Sequence, residues 1–330
     1  MSQIVEPKTY TGKDLETIFF RPIFSGPDAK ELGIRIMYNM PVPTTLNFWR
    51  GASDILQKYT VGGWNGGKAS EKFQKTIELA RVKAEVGYSA SDYFSMVFEQ
   101  ITNRADVNME DLTGTELEEA ETRLFKEAIA ESIRATMWLG YADRENGPFS
   151  TFDGFIMQII RDLGSDSTAI TNVRFDPGEY ETAGGGEALL KEMWNKSSDV
   201  LKEMKNQGEL AFFVTSDVYA KYEESLDSAT LEAAYIARQE GRGSLSYRGI
   251  PVVDIQVSGY LSSLREFPKS FALLTDRRNL ALAVNTADFP GTEVRMWYNP
   301  DEMENRQRAV FMAGCDYLLP ELMTVAFVEV

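Results

Sequence analysis

Histidine is absent from this 330-residue sequence, and cysteine occurs once, at Cys315. Zinc, haem and iron–sulfur centres draw their usual ligands from those two residue types, so none of the ordinary ligand sets can be assembled and no cofactor is expected. A lone cysteine also rules out an internal disulfide. Ser–His, Cys–His and imidazole acid–base arrangements cannot form either, which leaves any catalysis to carboxylate, lysine or tyrosine groups and points away from an enzyme. No uninterrupted apolar run approaches the roughly 18 residues of a membrane helix. Met1 to Tyr10 lacks the apolar centre of a secretion signal, so the chain is expected to be made in the cytosol and to have no membrane partner. Positive charge is scarce: 34 Lys and Arg face 50 Asp and Glu, a net charge of −16. Such a field repels phosphate backbones unless bases gather on one face, which disfavours a primary reader of nucleic acid.

What is present suits a folded chain. Hydrophobic residues make up 43% and charged residues 25%, enough to bury a sizeable core. At about 150 residues per domain the length fits two domains or one elaborated one. Up to about residue 35, Pro7, Pro22, Pro27 and Gly12, Gly26, Gly33 break up apolar clusters such as Ile18-Phe19-Phe20 and Ile23-Phe24. No helix survives that punctuation. A segment so apolar and so broken is expected to lie as an arm across another surface, its own or a neighbour's.

From Ile34 the pattern is strand-like until Gly62-Gly63-Trp64-Asn65-Gly66-Gly67-Lys68, whose glycines demand a flexible turn. In Thr76 to Tyr88 apolar residues mostly alternate with charged ones, the mark of a ribbon with one covered face. Together these predict a long hairpin with a glycine tip. Leu117, Ala120, Leu124, Ala128, Ile129, Ile133 and Met137 then recur at three and four residues, predicting a helix over 115–140 of about seven turns. Thr113 and Thr115, each three before a Glu, and Gly140 supply its ends. Further helices are expected over 187–207, closed by Gly208, and near 216–240. Strands are expected at 210–214, 247–253, 271–275, 280–284, 292–298, 308–317 and 323–330.

Few motifs carry chemistry. Gly62 to Lys68 fits the first seven positions of a phosphate-binding loop, but Ala69 stands where a Ser or Thr must hold magnesium. A flexible hairpin tip is the better reading. Adjacent acids such as Glu118-Glu119, Glu223-Glu224 and Asp301-Glu302 are expected by chance in so acidic a chain, and nothing flanking them builds a glycosidase-type pocket. Trp49, Trp64, Trp138, Trp194 and Trp297 fit core or subunit contacts better than base stacking, given the charge.

Read in order, a broken arm, a glycine-tipped hairpin, a long helix ending in Gly, a mixed helix–strand region and a strand-rich close resemble the major capsid proteins of tailed bacteriophages, an α+β class with the Hong Kong 97-like capsid fold. Phe125 to Ile133 through Trp138-Leu139-Gly140 looks like the end of that family's spine helix, and Phe152-Asp153-Gly154-Phe155 like the turn after it. Leu210 to Asp217 is similar to a strand-then-helix passage, Leu245 to Val252 to the family's Gly-hydrophobic-Pro-Val strand, and Ala309 to Val328 to its terminal strands. The resemblance implies an N-terminal arm (1–35), an extended loop (36–88), a peripheral domain (89–150 and 285–320) with spine helix 115–140, and an axial domain (151–284 and 321–330).

It further implies a shell protomer. Pentamers and hexamers would tile an icosahedral capsid around double-stranded DNA without sequence-specific contact, assembled in the host bacterial cytoplasm and residing in the virion. Scaffolding, portal and decoration proteins are the implied partners. Gly62, Gly63, Trp64, Asn65, Gly66, Gly67 and Lys68 would form the loop tip and hinge, and Ile18, Phe19, Phe20, Ile23 and Phe24 the arm's contacts with other subunits. Some members weld the shell by a loop lysine attacking a neighbour's asparagine beside a carboxylate. Lys68 with Asn299, Glu302 and Glu304 are the corresponding candidates, a step that needs a neutral amine and a base of raised pKa. The rival readings are an encapsulin-type compartment enclosing enzymes and, in a different class, a carboxylate-dependent hydrolase, whose sign would be a solitary monomer with one deep acid-lined pocket.

Overall fold

The computed structural model describes residues 26–40, 44–50, 71–89, 116–145, 147–165, 168–228, 245–287 and 294–328. Along the chain lie strands β1 (Arg35–Met37), β2 (Thr44–Arg50), β3 (Glu71–Ile77) and β4 (Ala80–Ser89), then helices α1 (Glu116–Leu139) and α2 (Phe155–Leu163). Strand β5 (Thr171–Phe175), helix α3 (Gly185–Lys196), strand β6 (Leu210–Val214) and helix α4 (Ser216–Ser228) follow. Strands β7 (Ser246–Tyr247), β8 (Ile250–Asp254), β9 (Ser270–Asp276), β10 (Leu280–Val284), β11 (Val294–Asn299), β12 (Glu304–Tyr317) and β13 (Met323–Val328) come next, with short helical turns such as Pro177–Tyr180, Asp199–Glu203 and Ser258–Leu261 between the longer elements.

The strands form a six-stranded sheet in the order β5-β13-β9-β6-β8-β7, a five-stranded sheet in which β12 pairs with β10, β11 and β4 while β1 flanks β10, and the two-stranded hairpin β2-β3. Strands β6 and β9 are buried throughout because the six-stranded sheet is covered on both faces. Alternate residues divide between two cores: Ala211, Phe213, Phe271 and Leu273 join one, and Phe212, Val214, Ala272 and Leu274 the other. The first core receives α1 and α2; the second receives α3 and α4.

The spine helix matches its predicted span to within a residue at each end. Its buried stripe steps through Ile129, Ile133 and Met137, and Ala128, expected on that stripe, is exposed on its flank. From Ile133 to Gly140 every residue is buried, so the helix ends inside the protein. The Trp138 ring meets Phe155 at 5.4 Å and Phe213 at 5.5 Å between centroids. Arg134, 3% exposed, donates to Glu131 at 2.6 and 2.7 Å and to the Ile255 carbonyl at 2.7 Å. That charge is buried only because it is paired and hydrogen-bonded.

Two glycines allow this ending. The Gly154 amide donates to the Gly140 carbonyl at 3.0 Å. A Cβ on Gly140 would lie 2.2 Å from the Phe152 carbonyl oxygen, and one on Gly154 would lie 2.6 Å from the Gly140 nitrogen.

Several expectations are corrected. The helix expected over 187–207 is interrupted: α3 stops at Lys196, Ser197 is extended, and Ser198 caps a new turn at Asp199–Glu203 by accepting from the Leu201 amide. Serine hydroxyls that bond the local backbone compete with helix continuation. Gly208, at φ +80°, closes the following Met204–Gln207 turn. The strand expected over 247–253 is a hairpin, because Arg248 and Gly249 take φ +53° and +79° and turn the chain between β7 and β8. The ribbon expected over 76–88 divides at Glu78: β3 pairs with β2, and β4 pairs with β12. Strand β10 pairs with β12 in the five-stranded sheet. The helix expected to reach 240 is described as far as Ser228. Of the arm, 26–35 folds onto its own body, with Ala29, Leu32 and Ile34 in the first core.

Substituting Gly140 or Gly154 by Ala is expected to destabilise the protein by about 1–3 kcal/mol through overpacking. Urea unfolding followed by tryptophan fluorescence checks this; an unchanged midpoint would refute the close approach.

Candidate functional site

The residues singled out in the sequence fall in three places. The loop-tip residues Gly62, Gly63, Trp64, Asn65, Gly66, Gly67 and Lys68, and the arm residues Ile18, Phe19, Phe20, Ile23 and Phe24, lie outside the described residues. Asn299, Glu302 and Glu304 come together in the turn between β11 and β12. There the Asn299 amide nitrogen donates to Glu302 at 3.4 Å. Arg306 pairs with both Glu302 and Glu304. Glu302 is exposed and Met303, 60% exposed, turns the chain at φ +51°. The turn is a solvated, ion-paired tip.

The hairpin is the more informative feature. Strands β2 and β3 run antiparallel from Thr44 opposite Ile77 to Arg50 opposite Glu71. Among the described residues they pair only with each other. A two-stranded ribbon is marginal in water and leaves both backbone edges open. What holds it is its root. Ile77 and Leu79 are buried against Ala281, Ala283 and Leu318, and between them the Glu78 carbonyl crosses Gly314 of β12. A Cβ on Gly314 would sit 2.0 Å from that oxygen, so only glycine admits the crossing.

Charged groups surround the crossing. Lys75 Nζ reaches Asp316 Oδ1 at 3.1 Å and stands 4.7 Å over the Tyr317 ring. The Tyr317 hydroxyl donates to Asp162. Arg161 pairs with Asp153 and with Asp143. Gln158 donates to the carbonyls of Cys315 at 2.7 Å and Asp153 at 3.0 Å. Between the hairpin root, β12 and α2 lies an open cleft of about 520 Å³ whose lining includes Lys75, Glu78, Asp162 and Asp316. The Asp316 carboxyl is pushed up to about 6, by burial first, with Lys75 opposing the rise and Asp162 and Glu78 adding to it. Burial also drives the Cys315 thiol well above its ordinary range, so it stays protonated and inert.

Sequence reasoning missed this root. Its signals were a glycine inside a strand pattern and an acid, Asp316, between Cys315 and Tyr317 in an otherwise buried run.

No family model and no curated protein matches the sequence. Solved structures do match the fold. A chain of the empty GTA particle capsid is 11% identical, with a TM-score of 0.59 over 99% of this chain and 96% of that one. A chain of the Myoviridae phage XM1 capsid is 11% identical, with a TM-score of 0.56 over 94% of both chains. A chain from Mycobacterium phage Che8 is 13% identical, with a TM-score of 0.54 over 99% of this chain and 98% of that one.

The chain has the Hong Kong 97-type capsid fold. The likeness spans nearly the whole polypeptide, as the order of sequence elements led one to expect, and at these identities it is the fold that is shared. Within this Hong Kong 97-type chain α1 is the long helix, and β2-β3 is the described part of the hairpin.

Gly314→Ala should push the Glu78 carbonyl off β12 and loosen the hairpin root. Tryptic cleavage within 71–79 is expected to speed up about tenfold, the equivalent of roughly 1.4 kcal/mol, while the six-stranded sheet stays resistant. Unchanged cleavage would show that the crossing does not hold the hairpin.

Proposed function

We propose that this chain is the major capsid protein of a tailed bacteriophage, a protomer that self-assembles as pentamers and hexamers into an icosahedral shell around double-stranded DNA. One observation carries the reading: a capsid fold over nearly the full length, bearing a hairpin whose edges pair with nothing else among the described residues. Open edges and marginal ribbons gain stability when a second copy covers them. In this reading the six-stranded sheet with α3 and α4 forms the axial domain around the symmetry axes. The five-stranded sheet with α1 forms the peripheral domain, and the hairpin with its glycine tip reaches over the next subunit.

The acidic excess fits a wall that does not adhere to its cargo. With a net charge of −16, counterions rather than base contacts govern packaged DNA. The particle is built in the host cytoplasm with scaffolding, portal and decoration proteins as partners and persists as the virion capsid. Cohesion is noncovalent in this account: Glu302 and Glu304 are engaged by Arg306 at an exposed turn, not set in the apolar pocket that a weld with Lys68 calls for. Mature particles are then expected to run as monomers in denaturing electrophoresis, and a ladder of covalent oligomers would restore the weld.

Expressed alone or with its scaffold, the protein should form closed shells visible by negative-stain microscopy. Particles filled with enzyme instead of DNA would favour the encapsulin reading. Deleting residues 60–70 should leave the core folded, judged by circular dichroism and melting, yet impair shell closure. Normal particles from that deletion would remove the loop's assigned role.

A further inference from the structure

Among the described residues Asp316 of the body meets the hairpin root directly, through Lys75, and its surroundings are unbalanced. From the hairpin come Lys75, in contact, and Glu78. From α2 come Asp162 and Arg161, and from the turn before it Asp153. Arg161 is committed to Asp153 and Asp143, and Asp162 accepts from the Tyr317 hydroxyl. Lys75 is the base in contact with Asp316. The Asp316 side chain retains 14% of its exposure, so its charge is largely out of water with carboxylates nearby.

The break at Glu78–Leu79 separates β3 from β4, the hairpin has no sheet partner among the described residues beyond itself, and the open cleft beside Lys75 gives it room to swing.

We propose that the hairpin root is a proton-locked hinge: with Asp316 protonated the root stays seated on β12, and with Asp316 ionised it is biased to lift so that the carboxylate can reach water. For its use in assembly this rests on the shell reading, in which the direction of the hairpin sets how one subunit reaches the next.

The sign follows from linkage. Seated, Asp316 titrates at about 6, against an ordinary 3.8; lifted into water, it returns toward the ordinary value. The seated state therefore binds the proton more tightly and is favoured as pH falls. The bias is fully present below the ordinary value and is lost as pH rises through about 6. A difference of about two units changes the seated-to-lifted ratio by about 100-fold across that window. Lys75 limits the bias, so removing it should move the midpoint upward.

The test is hydrogen–deuterium exchange of the full-length chain at pH 5 and pH 7.5, corrected for intrinsic rates and read on peptides covering 71–79 and 314–318. Protection of these peptides should be higher at pH 5, with peptides of β6 and β9 unchanged. Asp316→Asn, which mimics the protonated state, should be protected at both pH values. Lys75→Met should lose protection at pH 7.5 and keep it at pH 5. Equal protection at both pH values in the parent chain, or Asp316→Asn loosening the root, would overturn the hinge. Microscopy of the same samples keeps the two readings apart. A pH-dependent root in a chain that forms no shells upholds the hinge and removes the capsid function; intact shells with a pH-indifferent root do the reverse.

Discussion

Where the carbonyl of Glu78 passes over Gly314, the hairpin meets the body of the chain. On one side, Ile77 and Leu79 plug into a small core beneath β10 and β12. On the other, β2 and β3 leave with both edges unpaired among the described residues. A backbone donor or acceptor left unpaired is tolerable in water, but a two-stranded ribbon gains little from it. The body, by contrast, is closely packed. The six-stranded sheet is buried on both faces, and α1 ends wedged against α2 through two facing glycines.

In the proposed shell reading that contrast suits tiling: the packed body would set the shape of a tile and the projecting strand pair would span the seam between tiles. The charge balance is consistent with it. Among the described residues, Arg306 and Arg308 on β12 are answered by Glu302, Glu304 and Glu85 beside them. Arg134, buried at 3% exposure, serves the interior by fastening α1 to the 255–256 backbone.

Much of this was legible in the sequence, and the reasons differ by element. The spine helix was readable because its apolar positions repeat at helical spacing and a glycine ends it. Strands β6, β9 and β10 were readable because burial on both sides demands unbroken apolar runs. The break at Ser197–Ser198 and the turn at Arg248–Gly249 were not, since a helical period continues past the first and a strand-like composition runs through the second. The hairpin's existence was legible, but its root was not. The pairing of Lys75 with Asp316 and the crossing at Gly314 join positions more than 230 residues apart, and no local pattern encodes a contact between them. The tip and the first part of the arm, both given roles from the sequence, fall outside the described residues.

The central claim is that the projecting strands take their order from adjacent copies. Electron cryomicroscopy of purified particles tests it most directly by tracing β2 and β3 from Gly314 outward. The account predicts a closed shell in which the hairpin lies over a neighbouring subunit. A hairpin folded back onto its own body, or a solitary monomer under all assembly conditions, would contradict it.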